Sequence, residues 1–153
     1  MTTPTPAPSG GALSADGRAR LATALDLEHQ AVYGYGALGP HLTGSQRTAA
    51  RTAEATHRTR RDRLEVLLGD DAPTTSAGYA LPQPVTDRTS AAKLAALLED
   101  AVAGAYRAAL AATEGAPRKL ALDALVDAAT RAAAWRRIAG TSPSTVPFPG
   151  RPS

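Results

Sequence analysis

"GDDAPTTSAGYALPQPVTDRTS", residues 69–90, decides how this chain folds. It is rich in Pro, Thr, Asp and Gly and carries neither a helical nor a strand period. A connection of this length is uncommon between the elements of a compact domain. It suits a chain that leaves one end of a structure and returns along its side to the other end.

The flanking segments are helical. The first is expected from Ser14 or Asp16, either of which can cap it, to Leu38, with Gly39-Pro40 as its stop. The second runs from about Ser45, its expected cap, to Leu68, closed by Gly69. Asp87, Thr89 or Ser90 caps the third, which continues to about Glu114. "EGAPRK" makes a short turn, Pro117 falls in the first turn of the fourth helix, and Gly140 ends it after Ala139. The connections therefore read short, long, short. Short links make antiparallel neighbours, and one long crossover between helices 2 and 3 gives the ferritin-like variant of the bundle. The expected fold is all-α, a ferritin-like up-down four-helix bundle over residues 13–140. Residues 1–12 read as a Pro/Thr-rich leader and residues 141–153 as a Pro-rich tail, whose Val146 and Phe148 either dock on the bundle or stay free.

The bulk composition narrows the function. The 153 residues suit one domain. With no Cys there is no disulfide, no thiolate metal site and no thiol nucleophile. One Phe, one Trp and one Met leave Leu and Ala to build the core, so the helices must approach closely. The formal charge of +3 is too mild to imply nucleic acid. No apolar run is long enough to span a membrane. The leader lacks a basic start and an apolar stretch, so a cytoplasmic location is expected.

"LDLEHQAVYGYG", residues 25–36, places Glu28 on the apolar stripe of Leu21, Leu25, Val32 and Tyr35. A carboxylate facing a core needs a partner. Di-metal bundles use one Glu from each of two helices and Glu-x-x-His from each of the other two. "EATH" supplies Glu54-x-x-His57 on helix 2, and hairpin arithmetic puts it level with Glu28. Glu99 in "LLED" is the candidate on helix 3. Helix 4 has no His; its acids are Asp123 and Asp127, and Thr130 stands where His would belong. The candidate metal ligands are thus Glu28, Glu54, His57 and Glu99, an incomplete set for iron or manganese. The plainer reading pairs Glu28 with His57 or an Arg, and leaves Glu99 as a boundary or surface acid. An inward Arg among Arg131, Arg136 and Arg137 can neutralise these acids without metal.

Other side chains read blandly. Tyr33, Tyr35 and Tyr106 suit packing positions with wet hydroxyls, and Trp135 suits the plug at one end of the bundle. His29, rotated away from Glu28, suits a helix boundary, and His41 sits in the turn. Arg47, Arg51, Arg58, Arg60, Arg61 and Arg63 make helix 2 basic, with Arg58–Asp62 and Arg61–Glu65 as expected surface pairs. No phosphate-binding Gly loop is placed after a strand.

"LEHQAVYGYGALG", "HRTRRDRL", "YALPQPVTDRTSAAKLAALLEDAVAGAYR" and "WRRIAG" resemble a bacterial ferritin-like domain family of unassigned function. The likeness covers about Leu13 to Gly150 and implies a four-helix bundle; it carries over no catalytic residue. Two functions remain open. One is a binding or structural bundle, a homodimer through Ala- and Gly-rich faces. The other is a metal-carboxylate protein that oxidises Fe(II) or activates dioxygen.

Overall fold

The computed structural model describes residues 12–152. Its helices are α1 (Ala15–Leu38), α2 (Gly44–Leu68), α3 (Arg88–Ala112) and α4 (Gly115–Ala139). Short 3-10 turns at Gly39–His41 and Gly69–Asp71 follow α1 and α2. No strand occurs among the described residues. Residues 1–11 of the expected leader lie outside them.

Capping explains the boundaries. Ser14 accepts from the Gly17 N–H, as expected, and starts α1. Asp87 and Ser90 form a reciprocal capping box that starts α3 out of the long connection. α2 begins after Thr43 rather than at a Ser45 cap, and α4 begins at Gly115, before Pro117. α3 stops at Ala112, short of Glu114, where the Thr113 hydroxyl donates back to the Ala109 carbonyl.

End contacts fix the directions. Ser14 donates to the Ala112 carbonyl, and Arg18 pairs with Asp71, so one end holds the start of α1 and the ends of α2 and α3. Arg88 pairs with Gln46 at the other end. α2 and α3 therefore run together, opposite to α1 and α4. The long connection returns along α1: Gln30 donates to the Ala80 carbonyl and Tyr33 packs on Tyr79. α1 packs on α2 and on α3, and α3 packs on α4. The α2–α4 seam shows almost no close backbone approach.

The apolar core has two parts. One gathers Leu21, Leu25, Leu64, Leu68, Val102 and Ala109. The other gathers Leu38, Leu42, Leu94, Leu98 and Trp135. Alanines fill the contacts between them, as a sequence poor in bulky residues requires. The tail docks. Arg136 donates to the Ser144 carbonyl, Arg107 to the Pro149 carbonyl, and Gly150, with φ +75°, lies against the Ala103 carbonyl.

Two helical glycines on α1 differ in what they face. A Cβ on Gly34 would meet Leu98 Cδ1 at 2.4 Å, so the buried Leu98 side chain would have to shift to admit it. A Cβ on Gly36 would meet nothing within 4 Å. Gly34→Ala should therefore destabilise the protein by about 1–3 kcal/mol through overpacking. Gly36→Ala should stabilise it by up to about 1 kcal/mol through helix propensity. Urea unfolding of the two variants reads both signs.

Candidate functional site

Glu28 on α1, His57 on α2 and Glu99 on α3 converge between the two apolar parts of the core, each with no solvent exposure. The His57 Nδ1–H donates to Glu28 Oε2 at 2.6 Å, and its Nε2–H donates to Glu99 Oε1 at 3.1 Å. One imidazole thus joins two carboxylates. The inward stripe that carries Glu28 is Leu21, Ala24, Leu25, Ala31, Tyr35 and Leu38; Val32 lies at its edge.

Two tyrosines complete the cluster. The Tyr106 hydroxyl donates to Glu28 Oε1 at 2.7 Å, and the Tyr35 hydroxyl donates to Glu99 Oε1 at 2.6 Å. Trp135 Nε1–H donates to the Tyr35 oxygen at 2.9 Å. Tyr35 also stacks on the His57 ring. The expectation of wet hydroxyls fails for Tyr35 and Tyr106, because each carboxylate has another acceptor site that only a buried donor can fill. Only Tyr33 of the three is substantially exposed. Glu99 is a core acid, not a boundary or surface one.

The pairing follows one register. Tyr35 stands seven residues after Glu28 on α1, and Tyr106 stands seven after Glu99 on α3. Seven residues are close to two turns, so acid and tyrosine share a face. Because α1 and α3 are antiparallel, each tyrosine meets the acid of the other helix. Glu28 and Glu99, Tyr35 and Tyr106, and Arg60 and Arg131 stand at one common offset along the chain. At that offset His57 corresponds to Ala128, so the single imidazole breaks the symmetry.

The charges balance locally. Arg131 Nη1 lies 3.5 Å from Glu99 Oε1. Arg60 reaches across the α2–α4 seam to Asp127 Oδ2, which Arg131 also holds from one turn along α4. Glu28, Glu99 and Asp127 thus face His57, Arg60 and Arg131. Arg131 is the inward arginine that the acids call for, whereas Arg136 pairs with Asp100.

Burial works to lower the His57 pKa, but its hydrogen bonds to Glu28 and Glu99, and then their charges, outweigh it and push the pKa up to about 9. Burial, reinforced by Glu99, raises Tyr35 well above the usual phenol range. Burial and the charge of Glu28 do the same for Tyr106. Near neutral pH the cluster therefore holds an imidazolium and two phenols.

Glu54 lies outside this cluster. It pairs with Arg58 one turn on and faces a cleft of about 360 Å³ lined by Gly36, Arg47, Arg51 and one side of Tyr35. Arg61 likewise pairs with its neighbour Asp62, so neither expected surface pair forms on α2. His29 is buried under the long connection, with Glu65 Oε1 at 3.5 Å and the Thr75 hydroxyl at 3.4 Å. Among the described residues, no group of three His, Asp or Glu side chains is arranged to hold a metal ion.

Residues 20–153 match the family model described as "Domain of unknown function (DUF4439)". A crystal structure of a conserved hypothetical protein from Mycobacterium tuberculosis is similar, with 36% identity and a TM-score of 0.77. The match covers 88% of this chain and 97% of that one. No curated protein matches.

The His57 pKa is raised on folding, so the folded state binds the extra proton. Its contribution is fully present below the unfolded value of 6.5 and is lost as pH rises through about 9. Stability should fall across that window by up to about 3 kcal/mol. A His57→Gln variant should lose the pH dependence and be less stable by about 3–5 kcal/mol near neutrality, because two buried carboxylates lose their cation. Urea midpoints from pH 6 to pH 10 measure both.

Proposed function

Since this chain belongs to the family of the domain of unknown function DUF4439, we propose its role from its own geometry: a ferritin-like bundle that binds or scaffolds, with a proton and arginines where such a bundle would carry metal. The ferritin-like reading is supported by the long return connection and by two inward acids level with one histidine. One observation carries the functional reading. Both ring nitrogens of His57 are engaged by carboxylates inside a fully buried cluster. Such an imidazolium has no lone pair for a metal and none for a substrate proton.

A second reading keeps a cation in this place. It is favoured by Glu99 Oε2, a buried carboxylate oxygen without a partner. Glu28, His57 and Glu99 would be its ligands, with Glu54 released from Arg58 to join them. That arrangement needs His57 deprotonated, so metal affinity would rise steeply with pH.

Metal analysis of untagged protein, grown with added iron and manganese, separates the two. The first reading predicts no stoichiometric metal and no rise in Tm on adding Fe(II) or Mn(II), since a ligand of the folded state must stabilise it. Retained metal that is lost in Glu28→Ala would establish the second.

A further inference from the structure

We infer that α2 is a dimerisation helix, and that a second copy of this chain packs against it antiparallel about a two-fold axis between Asp62 and Arg63. The inference deepens the binding reading above by naming the partner, and rests on it only in taking the chain to be a binding module.

The α2–α4 seam opens at the surface as a groove of about 570 Å³. Thr59, Asp62, Arg63 and Val66 of α2 form one wall; Leu67 and Leu120 supply apolar floor. Val66 is 86% exposed, far more than the other exposed large apolar side chains. Arg63 makes no ion pair among the described residues, and Asp62 is 62% exposed although Arg61 touches it. An apolar groove with a protruding Val beside it calls for a covering partner.

The pattern of α2 says which partner. Helical spacing puts residues 59, 62, 63 and 66 on one face. These four are symmetric about the midpoint of Asp62 and Arg63. A two-fold interface makes each residue meet its mirror position on the other copy. Across this axis Asp62 meets Arg63 of the second copy, twice, and Val66 meets Thr59, twice.

The same axis solves the charge problem of α2. The helix carries Arg47, Arg51, Arg58, Arg60, Arg61 and Arg63. Only Arg63 of these lies on the 59/62/63/66 face, and its mirror position is Asp62; Arg60 turns inward to Asp127. On that face no arginine falls opposite another. A strongly basic helix can therefore lie against its own copy without like-charge opposition, and the register is set by the Asp62–Arg63 pairs.

Sedimentation velocity of the full chain over a concentration series, near physiological salt, tests this. The protein should sediment as a dimer. Asp62→Arg should weaken the dimer at least about tenfold, because it sets Arg against Arg twice. The double variant Asp62→Arg/Arg63→Asp should restore the dimer, since the swap again opposes unlike charges. Val66→Arg should dissociate it. Circular dichroism checks that each variant stays helical. A wild-type chain that is monomeric at every concentration would overturn the inference. So would a dimer indifferent to Asp62→Arg, or a double variant as weak as the single one. The experiment reads association only, so its outcome is independent of whether metal enters the core.

Discussion

A dehydrated acid in the seam of a helical bundle sets the terms for everything around it. Glu28 and Glu99 have no access to water. Each would cost several kcal/mol if left ionised and unpaired. His57 removes that cost for both at once, with one hydrogen bond to each. Tyr106 donates to the second oxygen of Glu28 and Tyr35 to Glu99 Oε1, Glu99 Oε2 stays without a partner, and Arg131 adds a second positive charge near Glu99. Buried ionic groups of this kind seldom stabilise more than apolar residues of the same size would. What they do here is fix register. A slip of α1 against α3 by one turn separates Tyr35 from Glu99 and Tyr106 from Glu28 together, and leaves four buried polar groups unpaired.

The constraint also accounts for how the apolar core is divided. The Leu21–Leu64 group and the Leu38–Leu94 group lie on either side of the polar layer. Trp135 belongs to the second group, yet its N–H reaches Tyr35. It is therefore the outer link of the hydrogen-bond chain as well as a packing residue. The α2–α4 side is held differently, by Arg60 and Arg131 sharing Asp127 rather than by close backbone packing. That leaves a groove on the outside of the same seam.

The helices and their lengths were legible because amphipathic periodicity, caps and Gly stops are local signals. The ion pairing of Glu28 with His57 was also legible, since residues equidistant from a hairpin apex come level. Glu99 could be named but its burial could not, because Leu94, Leu98 and Val102 leave it beside their stripe rather than in it. Tyr35 and Tyr106 were missed as ligands of the carboxylates. The signal was present as an acid followed seven residues later by tyrosine on both α1 and α3. Its meaning depends on the antiparallel contact of two helices that are far apart in sequence. Glu54 matched a spacing motif, but spacing does not say which face turns inward. His57 took the inward position, and Glu54, three residues earlier, found Arg58 outside. His29 is buried because the long connection covers it, a tertiary effect that no pattern within α1 contains.

The protonation of His57 decides whether the cluster is a closed polar lock or an open ligand site. The measurement that reads it most directly is nitrogen-15 NMR of the His57 ring in the intact protein. Both ring nitrogens should carry protons at pH 7, and the ring should become neutral only near pH 9. A neutral ring at pH 7, with one bare nitrogen, would contradict it.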